Sequence, residues 1–117
     1  MAEHNDLGHE GEDYAAKLLE KEKGFIIIER NWHYRQKEID IIAIDSGTLV
    51  FVEVKTRTSD SVPPSELISY NKIRFLETAA EAYIRRKNYE GDARFDLVVL
   101  HKTHSGFKAE HIPNAFR

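Results

Sequence analysis

Asp40, Glu53 and Lys55 are the residues of this chain whose types and spacing could do chemistry, and they flank the short connection Asp45-Ser46-Gly47-Thr48. The runs on either side of that connection are β-branched and apolar, and a Ser-Gly pair between them predicts a two-residue hairpin loop. Counting outward from the loop sets Asp45 against Thr48, Ile44 against Leu49, Ile42 against Phe51, Asp40 against Glu53 and Glu38 against Lys55. Because strand side chains alternate, Asp40, Glu53 and Lys55 share one face. Facing Cβ atoms lie only about 5 Å apart, so opposed like charges repel. The acid face continues as Ile42, Ile44, Leu49 and Phe51, and the other face reads Ile39, Ile41 and Ala43 against Val54, Val52 and Val50. Apolar residues on both faces describe a central strand pair covered on both sides, where unpaired charge is costly. Two arrangements meet that cost. One is a cross-strand salt-bridge ladder of Asp40, Glu53, Glu38 and Lys55; the other is a pocket completed by a divalent cation.

The elements that must position these residues follow from periodicity. Tyr14, Ala15, Leu18 and Leu19 form one helical stripe, predicting a helix from about Gly8 to Lys23 that Gly24 closes, after a polar, frayed stretch from Met1 to Leu7. Glu12 lies at the edge of that stripe, where a first-turn acid also suits the helix dipole. Phe25 to Ile28 reads as a buried strand running toward Arg30-Asn31. Trp32, His33, Tyr34 and Arg35 either pack at its border or offer stacking and phosphate contacts to a nucleic acid.

Past the hairpin, Thr56 to Ser65 is a polar loop ending in Pro63-Pro64, beside the acids and of a length that suits a cover. Arg57 there reaches a phosphate oxygen or simply solubilises the surface. A second helix runs from Ser65 or Ser69 to Lys87, with Ile73, Leu76, Ala80, Tyr83 and Ile84 as its core stripe and Lys72 near its start, pointing back to the carboxylates or into solvent. Arg85, Arg86 and Lys87 read as an exposed helix end. Arg94 to His101 is a strand with Phe95, Leu97 and Val99 on one face and Val98 and Leu100 on the other, and Phe107 to Ile112 is a last, edge strand. His101, His104 and His111 lack a helical zinc frame and read as surface or loop residues. The order helix, three strands, helix, two strands predicts an α/β sandwich: a mixed sheet, the hairpin near its middle, a helix on each face.

At 117 residues, 41% hydrophobic and 32% charged, the chain is one globular domain. With no cysteine it excludes disulfides and thiolate metal sites. No apolar run approaches the roughly 20 residues that span a bilayer, and the polar N-terminus is not a signal peptide, so a cytoplasmic protein without membrane contact is expected. A net charge of −3 carries no basic nucleic-acid signature, although local field matters more than the sum.

Asp40, twelve residues, then Glu53-Val54-Lys55 resembles the D-x(n)-E-x-K core of the PD-(D/E)xK nuclease superfamily. The wider set Gly8-x-x-Gly11-Glu12, Arg30-Asn31, Glu38 to Ala43, Phe51 to Arg57, Lys72, Arg94-Phe95-Asp96 and Ala115-Phe116 resembles the bacterial YraN-like family, related to archaeal Holliday-junction resolvases. Ile39 replaces the superfamily's naming proline, and Lys37 stands where the family usually has glycine. The resemblance implies a restriction-endonuclease-like αβββαβ sandwich and a metal-dependent endonuclease acting on branched or structured DNA. Asp40 and Glu53 would bind Mg²⁺ or Mn²⁺, with the Val54 carbonyl and Glu12 as further ligands. Lys55 would serve the attacking water or the developing charge, and Arg57, Lys72 and Arg35 would hold phosphates. Related resolvases act as dimers, which implies a homodimer paired through the Phe107 to Ile112 edge. The alternatives are a non-catalytic module binding nucleic acid or a partner on the same scaffold, and a metal-free structural protein.

Overall fold

The first three strands are built by local pairing. Strand β1 (Ile26–Tyr34) turns into β2 (Lys37–Asp45), and β2 into β3 (Thr48–Arg57). At the second turn Ser46 and Gly47 both take left-handed backbone, with φ of 49° and 88°, as a two-residue hairpin of this hand requires. The register is Asp45 to Thr48, Ile44 to Leu49, Ala43 to Val50, Ile42 to Phe51 and Ile41 to Val52, as the turn predicts. The computed structural model of the chain describes residues 2–57, 63 and 67–116. Of the expected loop from Thr56 to Ser65, Thr56 and Arg57 instead continue β3 beside β4, and all but Pro63 of the remainder lies outside the described residues.

Helix α1 (Ala2–Lys21) precedes the strands, and α2 (Tyr70–Arg86) crosses from β3 to β4 (Ala93–Thr103), which is followed by β5 (Gly106–Ile112). The sheet order is β1-β2-β3-β4-β5, antiparallel throughout except for the parallel β3–β4 pair that the α2 crossover makes possible. Ala15, Ala16 and Leu19 of α1 pack on Ile41, Ala43, Val50, Val52, Val98 and Leu100. Leu76, Ala79, Ala80 and Tyr83 of α2 pack on Ile39, Ile42, Leu49 and Phe51. The result is the expected α/β sandwich, in the order αβββαββ, with one helix on each face. Among the described residues no helix is long and apolar enough to cross a membrane.

Four further expectations change. Helix α1 begins at Ala2 rather than near Gly8, because its first turns carry no apolar stripe for periodicity to detect. The run Phe25 to Ile28 is not a buried strand: Phe25 is buried, but Ile26 and Ile28 are 64% and 43% exposed. Sequential strand order leaves β1 at the edge of the sheet, and an apolar run alone does not distinguish edge from centre. His111 is no surface residue; its side chain is 8% exposed and bonded to the fully buried Asp96. Ile39 sits on the α2 side, although strict alternation assigns it with Ile41 to the α1 side.

Candidate functional site

The displaced Ile39 marks the place where the site is made. On β1, Arg30 pairs with Asp13 of α1 at 2.8 Å, whereas Trp32 meets the ring of Tyr83 on α2 edge-on at 5.1 Å. On β2, Ile41 faces α1 and Ile39 faces α2. Both strands therefore change face at one level, between the Arg30–Ile41 and Trp32–Ile39 pairs. Asn31 occupies that level on β1 with φ 50°, a left-handed conformation that asparagine tolerates better than most residues. Asp40 occupies it on β2.

The switch ends the β2–β3 ladder. Its last pair is Ile41 with Val52, and beyond it the Asp40 carboxylate accepts the Val54 N–H at 2.8 Å, a side chain standing where a strand carbonyl would. Asn31 donates to Glu12 Oε1 at 2.8 Å and to Glu38 Oε1 at 3.1 Å, tying α1 to the two strands. His33 Nε2 lies 3.0 Å from the other Glu38 oxygen.

Glu53 points to the α2 side and is buried. Its Oε2 is 3.4 Å from Lys72 Nζ, and its Oε1 has no hydrogen-bond partner although it is shut off from solvent. Lys72 comes within reach because Ser69 caps α2, its hydroxyl accepting the Lys72 N–H at 3.1 Å. Burial pushes the Asp40 carboxyl up to about 8, aided by the charge of Glu53 and, more weakly, Glu12, while the Val54 N–H and Lys72 pull it down. Burial also raises Glu53, against the pull of Lys72 and Lys55. Two acids with raised affinity for protons are two acids short of positive charge.

The salt-bridge ladder expected as one answer does not form. Lys55 is exposed, Glu53 pairs with Lys72, and Glu38 turns to Asn31 and His33. Lys55 still acts on Glu53 through its charge. Together with Lys37, Ser69 and Lys72 it lines a cleft of about 310 Å³ whose floor includes Glu53. Two hollows of about 400 Å³, one beside Tyr89 and one along His101 to Glu110, lie away from the acid pair.

Glu12 reaches Asp40 by its field but spends a carboxylate oxygen on Asn31. Among the described residues no three histidine or acidic side chains converge as a metal-binding group. The set available to a cation is therefore the Asp40 and Glu53 carboxylates plus main-chain and water oxygen. The donor-less Glu53 Oε1 and the raised Asp40 suit a hard divalent ion, which takes carboxylate oxygens and keeps waters. Of the expected phosphate contacts, Lys72 is in the cleft. Arg57 is half-buried and pairs in the ladder with His101, and exposed Arg35 is 5.0 Å over the Tyr34 ring at the β1–β2 turn.

The sequence named Arg30-Asn31 only within a family resemblance and did not show Asn31 as the residue at the switch; an asparagine, which tolerates left-handed backbone, between Arg30 and Trp32 of a strand was the signal. Arg94-Phe95-Asp96 was likewise named only within that resemblance, and the buried group these residues build with His111 was not foreseen. Arg94 Nε donates to Asp96 Oδ1 at 2.9 Å, His111 Nε2 meets Oδ2 at 2.8 Å, and the Asn114 N–H donates at 3.1 Å. Arg94 also bridges to Asp45 at 2.9 Å. An Arg-x-Asp spacing on one face of a buried strand was the available clue.

Fold and site together define an α/β protein with a mixed five-stranded sheet and an acid pair, buried Glu53 and half-buried Asp40, where its central hairpin opens. Residues 11–100, which span every residue of that site, match the Uncharacterised protein family UPF0102. The chain is 49% identical to a UPF0102 protein of Flavobacterium johnsoniae over 99% of this chain and 98% of that one. It is 43% identical to a UPF0102 protein of Parabacteroides distasonis over 99% and 96%, and 43% identical to one of Chlorobium chlorochromatii over 95% and 91%. The chain belongs to the UPF0102 family.

Proposed function

We propose that the protein is a metal-dependent endonuclease of the PD-(D/E)xK kind, hydrolysing phosphodiester bonds in branched or structured DNA. The observation that carries this reading is Glu53 Oε1, a buried carboxylate oxygen with no donor, beside a second carboxylate that burial and charge have raised to about 8. Leaving such a group unsatisfied is costly, and a divalent cation answers both acids at once. A bound Mg²⁺ or Mn²⁺ supplies an acidified water and offsets charge on the phosphate. The protein's own groups do the rest. Val54 N–H and Lys72 hold the two carboxylates in place, Asn31 keeps Glu12 directed at the same end of the sheet, and Lys55 at the cleft wall meets the water or the phosphate.

One observation favours a second reading, a non-catalytic binding module. Lys72 already balances one charge, and a proton on Asp40 lets it donate to Glu53 without any metal. Titrating Mn²⁺ or Mg²⁺ while following thermal unfolding separates the two, since a ligand of the native state raises the midpoint. The nuclease reading expects a rise in wild type that Glu53→Gln loses, and Mn²⁺-dependent cleavage of flapped or four-way DNA that Asp40→Ala abolishes. No rise in wild type, or full cleavage by Asp40→Ala, is incompatible with it.

A further inference from the structure

Trp32 and Tyr34 of β1 and Phe75 of α2 form a row of half-buried rings leading toward the cleft. Trp32 and Tyr34 lie nearly parallel, 14° apart, with centroids separated by 6.1 Å, and Tyr34 is 6.2 Å from Phe75. Cations attend every ring. Arg86 is 5.8 Å from the Trp32 centroid and 5.6 Å from Tyr34, Arg35 is 5.0 Å from Tyr34, and Lys37 and Lys72 are each 5.6 Å from Phe75. Lys37 and Lys72 also line the cleft over Glu53, so the row ends at the acids. The nearby acids are spoken for: Glu38 by Asn31 and His33, Glu29 by Lys87 and the Tyr83 hydroxyl.

We infer that this row is a platform for an unpaired nucleic-acid strand, which lies across Trp32 and Tyr34 and enters the cleft past Phe75, Lys37 and Lys72. Aromatic faces interleaved with cations suit bases and phosphates of a single strand whatever its sequence. The spacing argues against a duplex. Bases stacked in a duplex advance roughly 3.4 Å per nucleotide, little more than half the distance between these rings, and their faces are covered. Rings spaced 6.1 and 6.2 Å apart receive bases only from a strand that is stretched and unstacked. Arg86 and Arg35 are exposed and stand over the ring faces, so an arriving base displaces them toward its own phosphates. Resting on the nuclease reading of the cleft, the inference narrows its substrate to DNA with a single-stranded flap, tail or gap.

Trp32 is the sole tryptophan, so its emission reports the platform directly. The test titrates the full chain in EDTA with a short oligothymidylate and, separately, with a blunt duplex of equal length. Saturable quenching is expected with the single strand and at least tenfold weaker binding with the duplex. Tyr34→Ala is expected to weaken single-strand binding about tenfold. Arg86→Ala, an exposed change near the end of α2 that folding tolerates, is expected to weaken it and to reduce the salt dependence by about one phosphate contact. Equal affinity for duplex and single strand, or unchanged binding in Arg86→Ala together with a folded Tyr34→Ala, overturns the inference. Cleavage is read separately with Mn²⁺. Single-strand binding without cleavage leaves the platform standing and sinks the nuclease reading, and cleavage of blunt duplex without single-strand binding does the reverse.

Discussion

Asp40 owes its raised affinity for a proton first to burial and next to Glu53, and that fixes the sign of a pH effect. An unfolded aspartate releases its proton near pH 3.9, whereas the folded one holds it to about 8. Between those values the native state binds the extra proton, so this residue's contribution to stability declines as pH rises through the window. In EDTA the unfolding midpoint of wild type is expected to fall from about pH 5 to about pH 8, and Asp40→Asn to flatten that fall. A wild-type profile that the substitution leaves unchanged would contradict the assigned environment. Lys72→Met removes the amine nearest Glu53 and leaves a buried carboxylate with less compensation. It is expected to lower metal-free stability by about 1–3 kcal/mol at pH 7, measurable by urea unfolding, and Mn²⁺ is expected to restore part of the loss.

Helix α1 lies close against the sheet at Gly11. A Cβ there would stand 2.8 Å from Thr56 Oγ1 and 3.2 Å from Leu100 Cδ1, both on packed strands. Gly8, on the same helix, has nothing within 4 Å. The pair separates helix propensity from close approach. Gly8→Ala is expected to stabilise by about 0.5–1 kcal/mol, the ordinary gain of alanine in a helix. Gly11→Ala has the same gain but must displace the Thr56 hydroxyl and the Leu100 methyl from their packed positions, and overpacking of that kind costs about 1–3 kcal/mol. It should therefore lower the unfolding midpoint, and because Glu12 is the next residue it should also weaken the Mn²⁺-induced shift. Equal stabilisation by the two changes would show that the approach at Gly11 is not tight.

The molecule is closed by Asp96. On β4, next to the edge strand, it joins β5 through His111 and the C-terminal segment through the Asn114 N–H, while Ala115 N–H bonds Phe95 O at 2.9 Å and Phe116 stacks on Phe95 at 5.5 Å. Burial acts to raise this carboxyl, but the bonds from His111, Arg94 and Asn114 outweigh it and hold Asp96 below the ordinary range. The sign is opposite to that of Asp40. Stability from Asp96 is present above about pH 4 and is lost as pH falls through its folded value. Asp96→Asn is expected to cost about 3 kcal/mol at neutral pH, since it strands Arg94 beside Asp45 alone, and to reduce the acid sensitivity of unfolding. Denaturant curves at pH 3 to 7 would show both effects; a cost under about 0.5 kcal/mol would mark the group as peripheral.

The hairpin register from Asp45–Thr48 to Ile41–Val52, the faces of β3 and β4 and the core stripe of α2 were determined by the sequence itself, which left the start of α2 between Ser65 and Ser69 and carried the pairing two steps too far, to Asp40–Glu53 and Glu38–Lys55. Each feature so determined is a local matter: strand alternation, helical period and a two-residue turn act within a few residues of one another. The tertiary structure alone decided that Lys72 rather than Lys55 sits on Glu53, that Asn31 and Asp40 turn two strands over at one level, that Phe25 to Ile28 borders an edge, and that His111 is buried against Asp96. These outcomes depend on which distant elements pack together, and neither strand period nor helix period carries that information.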